Sequence, residues 1–298
     1  MPLAPRTVVV HRRTELDELV ERHGTRGQAE FFLRTRGRTL AEVQDRHDAC
    51  AAVLQHVAAA IPIDWRRGSV ERGDLDRFLF DADDVIVVVG QDGLVANVAK
   101  YLADQPVVGL NPEPDRNPGV LVRHPPTSVG SLLAALSSGR ATMQQRTLCR
   151  AETDDGQDLS ALNEIYLGHP SHQSARYRLT EPGADPERQS SSGIIVSTGT
   201  GTTGWCASIA QERHSRLTLP DPEDRALAWF VREAWPSPAT ETTHTEGLLT
   251  ADQHLVITAE ADSLVLFGDG LERDRLTVGW GQDVRIGIDG RTLRLVTG

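Results

Sequence analysis

The stretch richest in possible chemistry is Thr198-Gly199-Thr200-Gly201-Thr202-Thr203-Gly204, which sets three glycines and four threonines in seven residues. Glycines let a backbone turn tightly and let a ligand come close to it. Hydroxyls and free N–H groups are good partners for phosphate or ribose oxygens. Ile194-Ile195-Val196 before the stretch reads as a buried strand, and Ala207, Ile209 and Ala210 after it read as a helix. Strand, polar loop and helix start are a common way to build an anion or nucleotide site. The loop is neither a Walker loop nor GxGxxG, and a tight turn with solvated hydroxyls fits it as well.

Three further places carry candidate groups. Asp92 stands in Gly90-Gln91-Asp92-Gly93, where a carboxylate flanked by exposed N–H groups could accept a proton from a hydroxyl or orient it; an ordinary Asp-Gly turn is the other reading. Asn163-Glu164 precedes Ile165-Tyr166-Leu167 and could hold sugar hydroxyls, or could simply open a strand. His169 and His172 have His-x-x-His spacing but no carboxylate or Cys at ligand spacing, so they read as a surface turn and no metal site is assigned. Cys206 has no positioned base beside it and reads as packing.

The elements around these groups set their places. Thr7-Val8-Val9-Val10 reads as a buried strand, and Thr14-Glu15-Leu16-Asp17 as a capped helix start closed by Gly24. Residues 39–60 read as a longer helix ended by Pro62, and residues 66–76 as a solvated, charged stretch. Asp84-Val85-Ile86-Val87-Val88-Val89 has no alternation and reads as a central parallel strand covered on both faces. A helix over 94–102 and a strand over 106–110 follow, giving a β-α-β order whose ligands sit at the carboxyl ends of the strands. Gly90 to Gly93 lie at such an end, and so does Asn111. From Thr147 short alternating segments between turn residues give an all-β texture, with a helix expected around 224–234. The organisation expected is an α/β domain with an open, mostly parallel sheet over residues 1–126, then a β-rich domain over 127–298, with the C-terminal segment packing back on the first.

Bulk properties narrow the classes. The chain has 298 residues, 39% hydrophobic and 24% charged, which is a globular composition with ample core. A net charge of −11 argues against a protein whose main task is to bind nucleic acid or an anionic membrane. No apolar run approaches a membrane span, and the first residues enter a strand-like run without a signal-peptide layout. Cys50, Cys149 and Cys206 are widely spaced and odd in number, which suits a reduced, cytoplasmic setting.

Taken in order, Gly90-Gln91-Asp92-Gly93, Asn163-Glu164 and the run from Ser197 to Ser208 with Thr203-Gly204-Trp205 resemble the NAD kinase family. That family has Gly-Gly-Asp-Gly, then Asn-Glu, then a Thr-rich loop ending Thr-Ala-Tyr. Ser191-Ser192-Gly193, Trp205, and Gly109-Leu110-Asn111 followed by Pro114-Asp115-Arg116 look most like its mitochondrial-type branch. The resemblance implies an α/β domain, a β-rich domain and a site between them. It implies transfer of the γ-phosphoryl of ATP, with Mg²⁺, to the 2′-hydroxyl of the adenosine ribose of NAD, giving NADP, in a homodimer or larger assembly. Asp92 would then be the base or orienting group. Gly90, Gln91 and Gly93 would face phosphate, and Asn111 would lie at the neighbouring strand end. Asn163 and Glu164 would hold ribose and adenine-side groups, Thr203, Gly204 and Trp205 would line the nucleotide, and Ser208 would add a hydrogen bond.

Two departures matter. Gln91 replaces a glycine, and if that position needs φ > 0 the side chain would be strained by about 1–3 kcal/mol. Ser192 stands where many of these kinases have Asp, and Val120 near where they have an aromatic residue. A kinase of the same fold for another nucleoside or nucleotide, or a non-catalytic nucleotide-binding regulator, are the alternatives these departures raise.

Overall fold

A computed structural model describes residues 4–116 and 118–298. The chain forms two compact units, Met1–Gln144 with Arg294–Gly298, and Gln145–Leu293. The division falls beyond residue 126, so the helix around 129–137 belongs to the first unit.

The first unit runs β1 (Arg6–His11), α1 (Glu15–His23), α2 (Arg26–Arg34), α3 (Leu40–Ala60), β2 (Arg66–Glu71), β3 (Asp84–Val89), α4 (Asp92–Ala99), β4 (Pro106–Leu110) and α5 (Val129–Ser137). Its strands lie in the order β2-β1-β3-β4, all parallel. β3 is buried along its whole length, as its unbroken valine-rich run requires. One face of the sheet is covered by α3 and α5 through Val57, Ile61, Val129 and Leu133 against Val85, Val87 and Val108. α1, α2 and α3 share a small core of Leu16, Leu19, Ala29, Leu33 and Val43. Thr14 caps α1 in a full capping box with Asp17, and Gly24 ends it at φ 77°.

One reading of this unit needs correction. Residues 66–71 are a strand, not a solvated stretch: β2 is the sheet edge, and only Val70 is buried along it, so its composition looks like a loop. Residues 26–34 are a helix, held by Ala29 and Leu33 although most of its side chains are exposed.

The second unit holds β5 (Met143–Thr153) from Gln145 on, β6 (Asp158–Ala161), β7 (Glu164–Gly168), β8 (Ala175–Thr180), β9 (Glu187–Ser191), β10 (Gly193–Thr198), α6 (Trp205–Glu212), β11 (Ala226–Arg232), β12 (Glu246–Thr250), β13 (His254–Ala259), β14 (Leu264–Gly268), β15 (Leu271–Val278) and most of β16 (Asp283–Val296). One antiparallel sheet has the order β12-β11-β10-β7-β14-β15. The second runs β16-β13-β8-β9, with β5 beside β16 and β6 beside β5. Their inner faces interdigitate through Ile165, Leu167, Ile194, Val196, Trp229, Tyr177, Ile257 and Ile286. α6 covers the other face of the six-stranded sheet through Cys206 and Ile209 on Ile195, Ala228 and Phe230.

The helix expected around 224–234 is strand β11. Ala226-Leu227-Ala228-Trp229-Phe230-Val231 is apolar on both faces because one face meets the sandwich core and the other meets α6. A continuous apolar run of that length carries no period to separate strand from helix. Beyond Leu293, Arg294 and Leu295 of β16 pair in parallel with Pro106 and Val107 of β4, completing the first unit's sheet.

Candidate functional site

In the first unit the strand order 2-1-3-4 reverses direction between β1 and β3, and crevices at the carboxyl ends of such a switch point are the usual ligand positions in open α/β sheets. A cavity of about 420 Å³ lies there, lined by Arg12, Arg13, Arg46, Gly90, Gln91 and Glu113 among others. Arg13 is paired with Glu21, and Arg46 with Glu15 and Glu113. Arg12 is exposed and makes no ion pair among the described residues.

Gln91 sits at φ −104°, ψ 166°, ordinary extended backbone, as the residue before α4. The strain that a positive φ would have brought is therefore absent. Gly93 is exposed, and a Cβ placed on it would meet nothing within 4 Å. The protein itself does not require glycine there. Asp92 is the first residue of α4, and its carboxylate is used by the backbone. Its Oδ2 accepts from Val120 N at 2.8 Å, and its Oδ1 from Leu121 N at 2.8 Å and Val122 N at 3.0 Å. This clamps residues 120–122 across β4 so closely that a Cβ on Gly109 would lie 2.1 Å from the Leu121 carbonyl oxygen. Asn111 is buried and its Oδ1 accepts from Glu113 N at 3.0 Å, shaping the same loop from within.

In the second unit the polar residues gather on the α6 side of the six-stranded sheet. The threonine loop is organised by the buried Thr198, whose Oγ1 donates to Leu162 O and accepts from Thr200 N at 3.1 Å and Gly201 N at 3.3 Å. Thr198 N in turn donates to Asn163 O. Gly201 has a packing reason: a Cβ there would lie 2.3 Å from Asn163 O. Thr203, Gly204, Trp205 and Ser208 are exposed, on the outward side of this turn and the first turns of α6. Ser208 Oγ lies 3.5 Å from Gly204 O.

Asn163 and Glu164 enter β7 opposite Ser197, with the backbone of Leu162 and Asn163 fixed by Asp269, whose two carboxylate oxygens accept their N–H groups at 2.9 and 2.7 Å. Asp269 has φ 54° and Gly270 φ 66°, the two central residues of the β14–β15 hairpin turn. The Glu164 carboxyl makes no hydrogen bond among the described residues. Burial, with the charge of Asp269, pushes it up to about 7.

Two residues along the strand, Tyr166 stacks on Trp205 with ring centroids 5.8 Å apart and an interplanar angle of 21°. The Arg232 guanidinium lies over the Trp205 ring at 5.1 Å. Ser192 is exposed and is tied into this group by its carbonyl, which accepts from the Tyr166 hydroxyl at 2.8 Å. A cleft of about 310 Å³ beside the stack is lined by Trp205, Ser208, Glu212, Arg213, Arg232 and Glu233. Cys206 is buried under α6, and burial pushes its thiol up to about 11. His169 accepts at Nδ1 from Ser171 N at 3.1 Å within its own turn.

The structure thus gathers Asn163, Glu164, Ser192, Thr203, Gly204, Trp205 and Ser208 in the second unit, and Gly90, Gln91, Asp92, Gly93 and Asn111 in the first. Sequence reading missed Asp269, Tyr166, Arg232 and Arg12. Asp269-Gly270 is visible as a hairpin turn, but nothing local marks its partner. Among the described residues no group of three His, Cys, Asp or Glu converges to hold a metal ion, and no helix is long and apolar enough to cross a membrane.

This combination, a parallel sheet with an acidic glycine turn at its switch point and a β-sandwich with a hydroxyl-rich loop, defines a two-unit α/β plus β protein. No family model matches the chain. It is similar to NAD kinases: 33% identical over 176 residues to that of Hahella chejuensis (56% of this chain, 57% of the relative), 30% over 140 residues to one of Pseudomonas putida (44% and 46%), and 32% over 136 residues to that of Alcanivorax borkumensis (43% and 44%). The chain spans about half the length of the curated relatives it matches.

Proposed function

We propose that this protein is a phosphotransferase of NAD kinase type that moves the γ-phosphoryl of ATP to the 2′-hydroxyl of the adenosine ribose of NAD. The observation that carries this reading is the second unit's polar face. There an unpaired carboxyl at Glu164, a hydroxyl loop at Thr198 to Gly204 and the exposed Trp205 ring stacked on a half-buried Tyr166 suit a ribose, its phosphate and a base. Similarity to NAD kinases supports it. In this reading Asn163 and Glu164 hold ribose hydroxyls, and Thr203, Gly204 and Ser208 line the nucleotide. Trp205 offers its ring to the base, and Ser192 contacts the acceptor beside it. The cavity at the switch point, with Arg12 uncommitted and Gly93 open, suits the donor's phosphates, which Gly90 and Gln91 border. Asp92 orients this end by clamping residues 120–122, and Asn111 shapes the adjoining loop.

Phosphoryl transfer depends on positioning and charge stabilisation more than on covalent chemistry. Mg²⁺ would enter on the triphosphate, since the described residues form no cage for it, and no step is assigned to it. A homodimer or larger assembly in the cytoplasm belongs to the same reading, and light scattering of the purified chain tests its size. Purified protein with ATP, Mg²⁺ and NAD is expected to form NADP; absence of turnover together with absence of NAD binding rejects the proposal.

The exposed Ser192, with no carboxylate at that position, and the exposed Val120 favour a second reading: the same transfer to a different adenosine-containing acceptor. A panel of such acceptors assayed for ATP consumption separates the two. Gln91 in the donor-side turn, unstrained at φ −104°, raises a third reading, a non-catalytic nucleotide-binding regulator, which predicts ligand-induced thermal stabilisation without phosphoryl transfer.

A further inference from the structure

We propose that the cleft beside Trp205 takes a phosphate carried by the bound nucleotide, and that Arg232 is its ligand and sets a preference for nucleotides over nucleosides. This rests on the phosphotransferase reading above, and every residue it uses lies in the second unit.

Strand register builds the cleft. Ile195 of β10 pairs with Phe230 of β11 on the side covered by α6. Two residues further on, and so on that same face, Gly193 stands opposite Arg232. Gly193 has no side chain, and a Cβ there would lie 2.7 Å from Tyr166 Cε2. The Tyr166 ring of β7 therefore reaches across β10 toward Arg232, and its hydroxyl donates to Ser192 O at 2.8 Å. Trp205, at the start of α6, completes the group: its ring stacks on Tyr166 and carries the Arg232 guanidinium over it at 5.1 Å.

Arg232 lacks an acceptor. Its side chain is 29% exposed, and its one ion pair among the described residues is with Glu233 at 3.6 Å, too far for a hydrogen bond. Arg213, the other cation lining the cleft, is spent on the carbonyls of Val231 and Thr245. A guanidinium held over an aromatic face keeps its N–H groups available at its edge, and phosphate accepts them two at a time. Ser208, in the same cleft, adds a hydroxyl whose bond to Gly204 O is long, at 3.5 Å.

Glu212 and Glu233 also line the cleft and oppose a free anion. Selection of a phosphate therefore depends on its being tethered to a base held at Trp205. The Glu233 backbone is left-handed, at φ 41°, a conformation that a non-glycine residue keeps only where its surroundings fix it, so the fold places this carboxylate beside Arg232. Its side chain is 61% exposed, which makes the pair weak and lets Arg232 exchange it for a better acceptor.

Titration calorimetry of the purified chain in phosphate-free buffer, with AMP, adenosine and inorganic phosphate as probes, tests the assignment. Wild type should bind AMP roughly tenfold tighter than adenosine, and inorganic phosphate far more weakly than either. Arg232→Gln should bring AMP down to the affinity of adenosine. Glu233→Gln should tighten AMP by about two- to fivefold and leave adenosine as it was. If Arg232→Gln fails to fold, the Glu233→Gln gain carries the test. Equal binding of AMP and adenosine by wild type, a preference that survives in Arg232→Gln, or inorganic phosphate bound as tightly as AMP overturns this assignment alone. Failure of AMP, adenosine and NAD all to bind overturns it together with the phosphotransferase reading.

Discussion

Asp92 and Glu164 each sit beside a sharp change of chain direction, yet the fold treats them oppositely. Asp92 is an internal fastening, with three amides turned onto it. Glu164 is left without a donor and beside another acid. The same contrast holds for the glycines: Gly201 is required by its neighbours, whereas the space beside Gly93 is open. A residue that the fold already uses and a residue that it leaves unsatisfied can look alike in sequence, and only the second is free to serve a ligand.

That contrast can be broken by measurement, the largest effect coming at the most committed group. Thr198→Val keeps the shape but strands Leu162 O and the amides of Thr200 and Gly201, and should cost about 3 kcal/mol in urea unfolding. A loss below about 1 kcal/mol would mean that Thr198 does not organise the loop. Asp92→Ala should cost about 2–3 kcal/mol, with part restored in Asp92→Asn, and unchanged stability would show that Asp92 is not a fastening.

Glu164→Gln should behave in the other sense. The Glu164 pKa in the folded chain is raised to about 7 from an ordinary 4.5, so the folded state holds the proton more tightly than the unfolded chain. Its contribution to stability is therefore full below about pH 4.5 and is lost as pH rises through about 7. Wild type should lose stability relative to Glu164→Gln between about pH 5 and about pH 8, and a constant difference across that window would remove the unsatisfied carboxyl from the account. The smallest expected change is in Gly93→Ala, whose stability should stay within about 0.5–1 kcal/mol of wild type because the added methyl meets open space in a helix. Its KM for ATP should rise if phosphate approaches there, and an unchanged KM separates that glycine from the donor.

Much of this was legible because it is local. Thr14, Asp17 and Gly24 mark both ends of α1 in one contiguous stretch, and the β3 run declares its burial by lacking alternation. The threonine loop and the Asn163-Glu164 pair could be found as motifs, since each is contiguous. What could not be read depends on distant partners. Asp269 fixes Asn163 across 106 residues, and Arg232 reaches Trp205 only because β11 is a strand rather than the expected helix. Likewise the charged run 66–71 pairs with β1 because a parallel edge needs backbone groups more than apolar side chains.

The short pairing of Arg294 and Leu295 with Pro106 and Val107 bears on how the polypeptide matures. Val296 enters the core beside α5, and its carbonyl meets the His124 imidazole across 172 positions. During translation the β4 flank stays uncovered until β16 has emerged, an interval in which an open strand edge can recruit the wrong neighbour. A ribosome-stalled chain ending before residue 294 should accordingly be more protease-sensitive around β4 than the released protein.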